Sequence, residues 1–400
     1  MNVIDRQSTY KVSAVLAGVP FCVSGLMVGG ALVQGLSLVE GLLAGAIGCA
    51  VLTVYAGCTG ALGARTGLST PQLLSGPFGQ LGSKAVALVI AVCLVGWYSV
   101  QTEAFGQTIH LMYPETPLTS KGIASLWGGA LMLTSAAFGF RGLAKLSVIA
   151  IPAIVVLTLA ALAKVGVAGD IWATRPSRPG AFAEAITLVI GSFSIGATVN
   201  ADITRHSKNV GAAWIATFVG FFAATLYIFA CGAISQVGTG SYDLIAAMTQ
   251  MGMGTFAFVT LVLSQWTTND NNIYYASTSI ESVVPRIHRA LVVLAFGGLA
   301  TVLAVAGVSG HFVQFLLWLG VLIPPVGGII LAHHFLDMRK QIVTAATTPF
   351  PLPALVGWLS GVAAGKLVSF GVASVNAIIA GALVYVLLRC LVPRVYVKVE

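Results

Sequence analysis

Apolar residues run along this chain in long stretches, separated by short polar breaks rich in Gly and Pro. A helix needs about 20 mostly apolar residues to cross a bilayer. Twelve stretches reach that length: roughly 10–33, 36–62, 82–112, 121–141, 144–166, 180–203, 209–236, 250–281, 288–307, 311–337, 350–369 and 371–391. Gly63 to Gly67, Pro114 to Pro117, Pro176 to Pro179 and Pro349 to Pro353 punctuate them. No interval between stretches exceeds about 20 residues, so none has room for a soluble domain. The pattern predicts one all-helical membrane domain of twelve spans over residues 1–400.

Composition strengthens that reading. Of the 400 residues 57% are hydrophobic and only 8% charged, against roughly 25% charged in a soluble domain. So few charges cannot cover a water-exposed surface, which excludes a soluble enzyme, a disordered chain and a disulfide-stapled secreted domain. The 46 Gly suit helices that approach closely in lipid. The net charge of +8 is scattered, with no basic run longer than two, so nucleic acid is not the implied partner. The cations sort by side instead. With the N-terminus inside, fifteen of the 20 Lys and Arg fall on inner segments, and Lys121, Lys164, Arg175, Arg178 and Lys366 fall outside. Cytoplasmic loops carry such an excess, so both termini are expected in the cytoplasm and the chain in an inner (plasma) membrane. The N-terminal MNVIDRQSTYK lacks the parts of a cleaved leader, and the first span reads as retained.

No catalytic or metal constellation is present. The six Cys form no CxxC, the His residues do not cluster, and no HExxH or phosphate-cradling Gly loop occurs. The expectation is no enzyme, no cofactor and no obligatory protein partner.

Function is expected where helix logic is violated, because irregular backbone at bilayer depth is tolerated only around a cavity. The first span contains Gly18-Val19-Pro20-Phe21-Cys22, and Pro20 frees carbonyls one turn earlier. The sixth contains Gly191-Ser192-Phe193-Ser194-Ile195-Gly196-Ala197-Thr198, with two Gly and three hydroxyls mid-span. These spans open consecutive five-helix blocks, 10–166 and 180–337, followed by two extra helices at 350–391. Paired interruptions predict an inverted repeat with a site at its axis.

The eighth span is the most polar. Ser264, Thr267, Thr268 and Asn271 share a face at i, i+3, i+4 and i+7. Hydroxyl oxygens there, with carbonyls freed near Pro20, can hold a hard monovalent cation such as sodium. Asp270 and Glu103 are ionisable groups inside spans, open to either a proton-handling, gating or a structural role. Asp202 and Arg205, three apart, read as a helix-end or gating pair. Trp97 and Gln101, four apart on the third span, pair an aromatic plate with an amide. Phe193 could supply a second plate. Such a site suits a flat nitrogen heterocycle, while aromatic packing between helices is the plainer fate of a Trp.

Trp266-Thr267-Thr268-Asn269-Asp270-Asn271, Leu322-Ile323-Pro324-Pro325-Val326-Gly327-Gly328, and Gly191-Ser192-Phe193 with Ala201-Asp202 resemble the cytosine permease branch of the nucleobase–cation symporter-1 family (purine/cytosine permeases). So do Gly29-Gly30 with Gly35-Leu36-Ser37, and Gly63 to Thr70. The resemblance runs in register over nearly all twelve spans. It implies the LeuT-type five-plus-five inverted repeat with broken helices 1 and 6, and import of a nucleobase with sodium. It places sodium at Gly18, Phe21, Ser264, Thr267 and Thr268. Some cytosine permeases have Asn where this chain has Ser264. The base would lie between Trp97 and Phe193, with Gln101, Ser192, Ser194 and Asn271 as further candidates. The relatives' Gln-Val-Gly-Trp is Leu94-Val95-Gly96-Trp97 here, and Gln101 follows the Trp, as in the hydantoin and other branches. A proton-coupled symporter of hydroxymethylpyrimidine, a hydantoin or a purine is the alternative.

Overall fold

The computed structural model of the chain describes residues 6–136, 138–165, 178–308, 312–340 and 351–391. Arg175, Arg394 and Lys398, which entered the charge count, lie outside the described residues. Those described form helices, plus one isolated bridge between Gln7 and Ser207.

Helices occupy each of the twelve predicted stretches. The first stretch is α1 (Thr9–Gly18) and α2 (Val23–Leu32), which bend by 68° across residues 19–22. Then come α3 (Leu38–Thr66), α4 (Thr70–Met112), α5 (Lys121–Ala136) and α6 (Phe140–Val165). The second block begins with α7 (Ala181–Thr198) and the one-turn α8 (Ala201–Thr204). The seventh stretch is α9 (Val210–Thr217), a π-helical segment over Phe218–Ala224, and α10 (Thr225–Thr239). After α11 (Leu244–Gln250) come α12 (Gly254–Val283), α13 (Arg289–Ala306), α14 (Phe312–Leu322) and α15 (Pro324–Lys340). The last two are α16 (Leu352–Leu367) and α17 (Ala373–Leu391). Among the described residues eight helices are long and apolar enough to cross a membrane, or nine with the bent pair as one. The shortfall from twelve has a physical reason: α5 and α16 have 16 residues each, and α12 is long enough but too polar.

Local chemistry sets the ends. Ser37 and Glu40 form a capping box at α3, the Ser37 N–H donating to Glu40 Oε2 at 2.9 Å. Gly67 closes α3 in the left-handed conformation, its N–H donating to Gly63 O. Helix α4 begins twelve residues before the predicted 82, because the Ser69 N–H donates to Gln72 Oε1 and starts a turn there. Gly79, at φ 69°, then turns the chain into the predicted segment.

The breaks also differ from expectation. Gly191 to Thr198 stays helical, and the interruption of the sixth stretch falls at Val199-Asn200. The hydroxyls of Ser192, Ser194 and Thr198 donate to Val189 O, Gly191 O and Ser194 O on their own helix. At the actual break Asn200 Nδ2 donates to Ala56 O of α3 at 2.8 Å and to Thr217 Oγ1 at 2.9 Å. The tenth stretch is interrupted at Ile323, where Pro324 and Pro325 lack donors, and Tyr55 Oη donates to Pro324 O at 3.1 Å.

Helix α12 lies at the centre, packed by α4, α5, α6, α1 and α13. Residues 267–280 are buried without interruption, so its polar side chains meet protein rather than lipid. Outward faces carry apolar side chains such as Ile149, Val156, Leu294 and Val302. Helices α2 and α10 cross in near backbone contact: a Cβ on Gly29 would lie 2.1 Å from Phe229 O, and one on Gly232 2.1 Å from Leu26 O. A Cβ on Gly298 would meet nothing within 4 Å.

Gly232→Val should therefore force α2 and α10 apart and cost about 1–3 kcal/mol or more, read as a lower Tm in detergent. Gly298→Ala, in open space on α13, should leave Tm unchanged or raise it slightly. Equal Tm for both variants would contradict the crossing.

Candidate functional site

The end of α1 leaves carbonyls without helical partners, and α12 lies against them. Thr268 Oγ1 is 3.1 Å from Gly18 O, 3.2 Å from Val19 O, 2.9 Å from Phe21 O and 3.1 Å from Ser264 O. A hydroxyl has one proton and can donate it to one carbonyl at a time. The other oxygens therefore converge with lone pairs facing each other. Thr267 Oγ1 joins them through Ser264 O at 2.9 Å. A Cβ on Gly18 would lie 3.3 Å from both Thr267 Cβ and Ser147 Oγ, and Ser147 Oγ is buried with no hydrogen-bond partner. Neutral oxygens gathered in this way are the ligand chemistry of a hard cation.

All five residues placed at a cation site from sequence thus come together, with one change of atom. The Ser264 side chain donates back to Leu261 O at 3.1 Å, and its carbonyl is what it brings to the cluster. Ser147, on α6, escaped the sequence reading because one hydroxyl on an apolar helix carries no signal.

Beside this cluster lies a small cavity walled by Val19, Leu94, Trp97, Gln101, Ser192, Phe193, Ile195, Gly196, Thr268, Asn272 and Tyr275. Trp97, Gln101, Ser192 and Phe193 meet there as expected. Trp97 also packs edge-on against Phe315 of α14, at 5.7 Å between centroids, and Phe193 lies 6.0 Å from Phe229. The structure does not bring Ser194 or Asn271 to this wall. Ser194 bonds Gly191 O, and Asn271 turns to α1, donating to Val15 O at 3.4 Å and to Thr267 O at 2.9 Å. The next residue, Asn272, takes the place. Thr268, Asn272 and Tyr275 follow i, i+4, i+7, a face that helical spacing could have revealed.

Two buried polar atoms in this wall have no hydrogen-bond partner: Gln101 Oε1 and Tyr275 Oη. Such atoms are rare in folded proteins and expensive. Gln265 was also missed. Its Nε2 donates to Gln101 O at 2.9 Å, and its Oε1 accepts from the Val23 N–H that opens α2 at 3.4 Å. One side chain thus ties α12 to α4 and to the far side of the break.

The two intramembrane acids separate. Glu103 is buried and ion-paired to Lys121 Nζ at 2.6 Å, which links α4 to α5. Asp270 is fully buried, two residues and so about 200° from Thr268, and neither carboxylate oxygen has a hydrogen-bond partner. Asp202 and Arg205 attract each other electrostatically but form no direct salt bridge among the described residues. Asp202 Oδ1 accepts the Thr70 N–H at the start of α4, at 2.6 Å.

The cavity beside Thr268 encloses about 20 Å³, room for one water. A larger cavity of about 910 Å³ opens at the end of the bundle that bears Arg178, Glu184 and Lys366. Its floor is the contact of Gly191 with Gly320, where a Cβ on Gly320 would lie 3.5 Å from Gly191 Cα. Ser192, the next residue, faces the small cavity, so the partition between the two spaces is one helix thick.

Known proteins resemble this chain in sequence and in fold. The sequence model of a family described as permease for cytosine/purines, uracil, thiamine, allantoin matches residues 5–351. The cytosine permease of Escherichia coli (strain K12) is 32% identical over 397 residues, covering 97% of this chain and 93% of that one. A purine-uracil permease of Arabidopsis thaliana is 24% identical over 328 residues, 70% of this chain and 53% of that protein. Among solved structures, Mhp1, a nucleobase-cation-symport-1 family transporter closed with bromovinylhydantoin bound, superposes with a TM-score of 0.85 at 18% identity, covering 97% and 93% of the two chains. A Na+-coupled sialic acid symporter follows at 0.66 and 11%, covering 96% and 88%. The shared fold is thus that of Mhp1.

The orphaned atoms yield a prediction. Leaving a buried polar atom unsatisfied costs about 1–3 kcal/mol, so Gln101→Leu and Tyr275→Phe should hold or raise Tm. If the cavity receives a ligand, both should weaken its binding at the same time. A lower Tm without loss of binding would show the two atoms to be structural.

Proposed function

We propose that this chain, which belongs to the family of permeases for cytosine/purines, uracil, thiamine and allantoin, imports a nucleobase across the inner membrane together with sodium, by alternating access. Membership makes it a multi-pass membrane transporter and not an enzyme. The observation that carries the finer reading is the double position of Thr268. Its hydroxyl sits among the carbonyls at the end of α1, and the same residue walls the cavity of Trp97, Gln101 and Phe193. A cation drawn to the oxygens would fix the break and the wall of the substrate site in one step. Each ligand then binds better when the other is present, which is coupling.

In this reading sodium takes Gly18 O, Phe21 O, Ser264 O and the hydroxyls of Thr267 and Thr268, with Ser147 adjacent. The base stacks on Trp97 and Phe193 and is read by Gln101 Oε1, Tyr275 Oη and Asn272, with Ser192 beside it. The substrate class is a neutral planar base, cytosine or a related pyrimidine or purine. That choice agrees with a curated cytosine permease at 32% identity and with a wall of neutral polar atoms and aromatic faces. Twelve spans, an inverted five-plus-five repeat followed by two helices, and cytoplasmic termini complete the proposal. The protein would work in the bilayer as a single chain without a cofactor. About 20 Å³ cannot hold a base, so loading requires α7 and α14 to part from the cavity wall, opening it to the larger space above.

One observation favours a second reading, coupling to protons. A buried carboxylate is costly unless it is paired, hydrogen-bonded or protonated, and neither oxygen of the fully buried Asp270 has a hydrogen-bond partner among the described residues.

Uptake into vesicles at fixed pH, with and without a sodium gradient, separates the two. Under sodium coupling, Thr268→Ala should reduce uptake to its sodium-free rate, whereas Asp270→Asn should keep the sodium response. Unchanged sodium stimulation in Thr268→Ala would sink the cation assignment. Stacking of a base on an aromatic is worth roughly 1–3 kcal/mol, so Trp97→Ala should weaken cytosine binding about 10- to 100-fold. Retained affinity would remove the stacking claim.

A further inference from the structure

We propose that Gly220 and Phe221, in the π-helical segment, are positioning residues that carry coupling between the cation oxygens and the substrate cavity, a role that rests on the sodium and nucleobase reading above. The segment, Phe218–Ala224, interrupts the seventh stretch for seven residues. π-Helix is rare, occurs mostly as single turns and gathers at functional sites. Thr225 secures it here: its N–H and its Oγ1 both donate to Gly220 O, five residues back, the hydroxyl at 2.9 Å. Two adjacent residues then reach the two ligand regions. Gly220 lies on the backbone of α1, where a Cβ on it would be 2.7 Å from Leu16 Cβ and 2.9 Å from the Leu16 carbonyl carbon and oxygen. Leu16 O accepts the Val19 N–H at 3.2 Å, the bond that closes α1, and Val19 O is one of the oxygens around Thr268. Phe221 is buried and faces α7: its ring would meet a Cβ on Gly196 at 3.6 Å, and Gly196 walls the small cavity. One residue before the segment, Thr217 Oγ1 accepts from Asn200 Nδ2 at the break after α7, at 2.9 Å.

Consecutive residues of one helix thus bear on the end of α1 and on the cavity wall. A π turn holds more residues than an α turn, so the irregularity sets how the flanks α9 and α10 are rotated relative to each other, and with that which residues meet α1 and α7. Close-packed contacts transmit displacement because protein interiors yield little. A cation that draws the α1 carbonyls together moves Leu16 against Gly220, and Phe221 follows against α7. A base pressing on α7 returns the displacement to α1. The effect is reciprocal, as coupling between two sites must be. Thr268 supplies one link through α12, and the π segment supplies a second through the seventh stretch.

The full chain in lipid discs is titrated with cytosine in sodium chloride and in choline chloride at equal ionic strength, and with sodium alone by its effect on Tm. Wild type should bind cytosine about 5- to 150-fold more tightly in sodium, the usual range of coupling. Phe221→Leu stays apolar but falls short of Gly196. It should keep the affinity for cytosine in choline and for sodium alone, while the enhancement by sodium disappears. Gly220→Ala, whose methyl must displace Leu16, should weaken sodium binding several-fold and leave cytosine affinity in choline unchanged, although no ligand atom is altered. Should Gly220→Ala fail to fold, Phe221→Leu alone decides. Phe218→Leu, in the same segment but half exposed, should match wild type in all three measurements. A lower Tm in Phe221→Leu with the sodium enhancement intact, or an enhancement equal to wild type at any Tm, overturns the proposal. A wild-type protein that binds no cytosine, or binds it alike in both salts, overturns the functional reading and the proposal with it.

Discussion

Everything around the site follows from one constraint: a chain that breaks inside a bilayer must find partners for the carbonyls it frees. Water is absent there, and each orphan costs several kcal/mol. Pro20 makes the break between α1 and α2, and α12 answers it. Yet Thr268 brings one proton to four carbonyl oxygens between 2.9 and 3.2 Å away. The protein alone leaves the debt unsettled, and a cation is the simplest group that satisfies several oxygens at once. In the proposed reading, the attraction for a cation is thus a property of the backbone break before it is a property of any side chain.

The same constraint explains why the most polar helix is the central one. Residues 264–272 of α12 include eight polar or ionisable side chains, and all are buried. On a lipid-facing helix they would be intolerable. Enclosed by α1, α4, α5 and α6, they become connectors: Thr268 and Asn271 reach α1, Gln265 reaches α4 and the start of α2, and Asn269 Nδ2 donates to Thr102 Oγ1 of α4 at 3.0 Å. Movement of α12 relative to α1 must therefore disturb the oxygen cluster and the cavity wall together.

How much of this the sequence revealed depends on the range of the interaction. The oxygen stripe on α12 and the break at Pro20 were legible, because helical spacing and a missing N–H are local facts. The sixth stretch was misread for the complementary reason. Gly and Ser at 191–198 look like a broken helix, but the Gly residues serve close approach, Gly191 to Gly320 and Gly196 to Phe221, and the hydroxyls satisfy their own helix. The true interruption depends on Asn200 reaching α3, a contact 144 positions away in sequence. Asn271 and Asn272 were indistinguishable for a similar cause. A turn of 100° decides which faces α1 and which faces the cavity, and only the packed orientation of α12 sets it. Glu103 was ambiguous until Lys121 was seen beside it, because pairing across a helical hairpin leaves no periodic trace.

The two spaces near the site point to what moves. A contact between Gly191 and Gly320 is all backbone, with no side chains interlocked across it. Interfaces of small residues let helices lie close and also slide or part without extracting a knob from a hole. On the opposite side, α2 and α10 meet through Gly29 and Gly232 at still closer range, but there each glycine faces the partner's backbone on both sides of the crossing. That contact behaves as a weld, whereas the Gly191–Gly320 approach is looser. Helix α14 ends at Ile323, where two prolines leave the chain without donors, so it has a hinge at its base as well as a looser contact along its side. In the proposed opening, α14 rotates about residues 322–325 and α7 and α14 part, while Tyr55, bonded to Pro324 O and to Thr198 Oγ1, holds the hinge against α7.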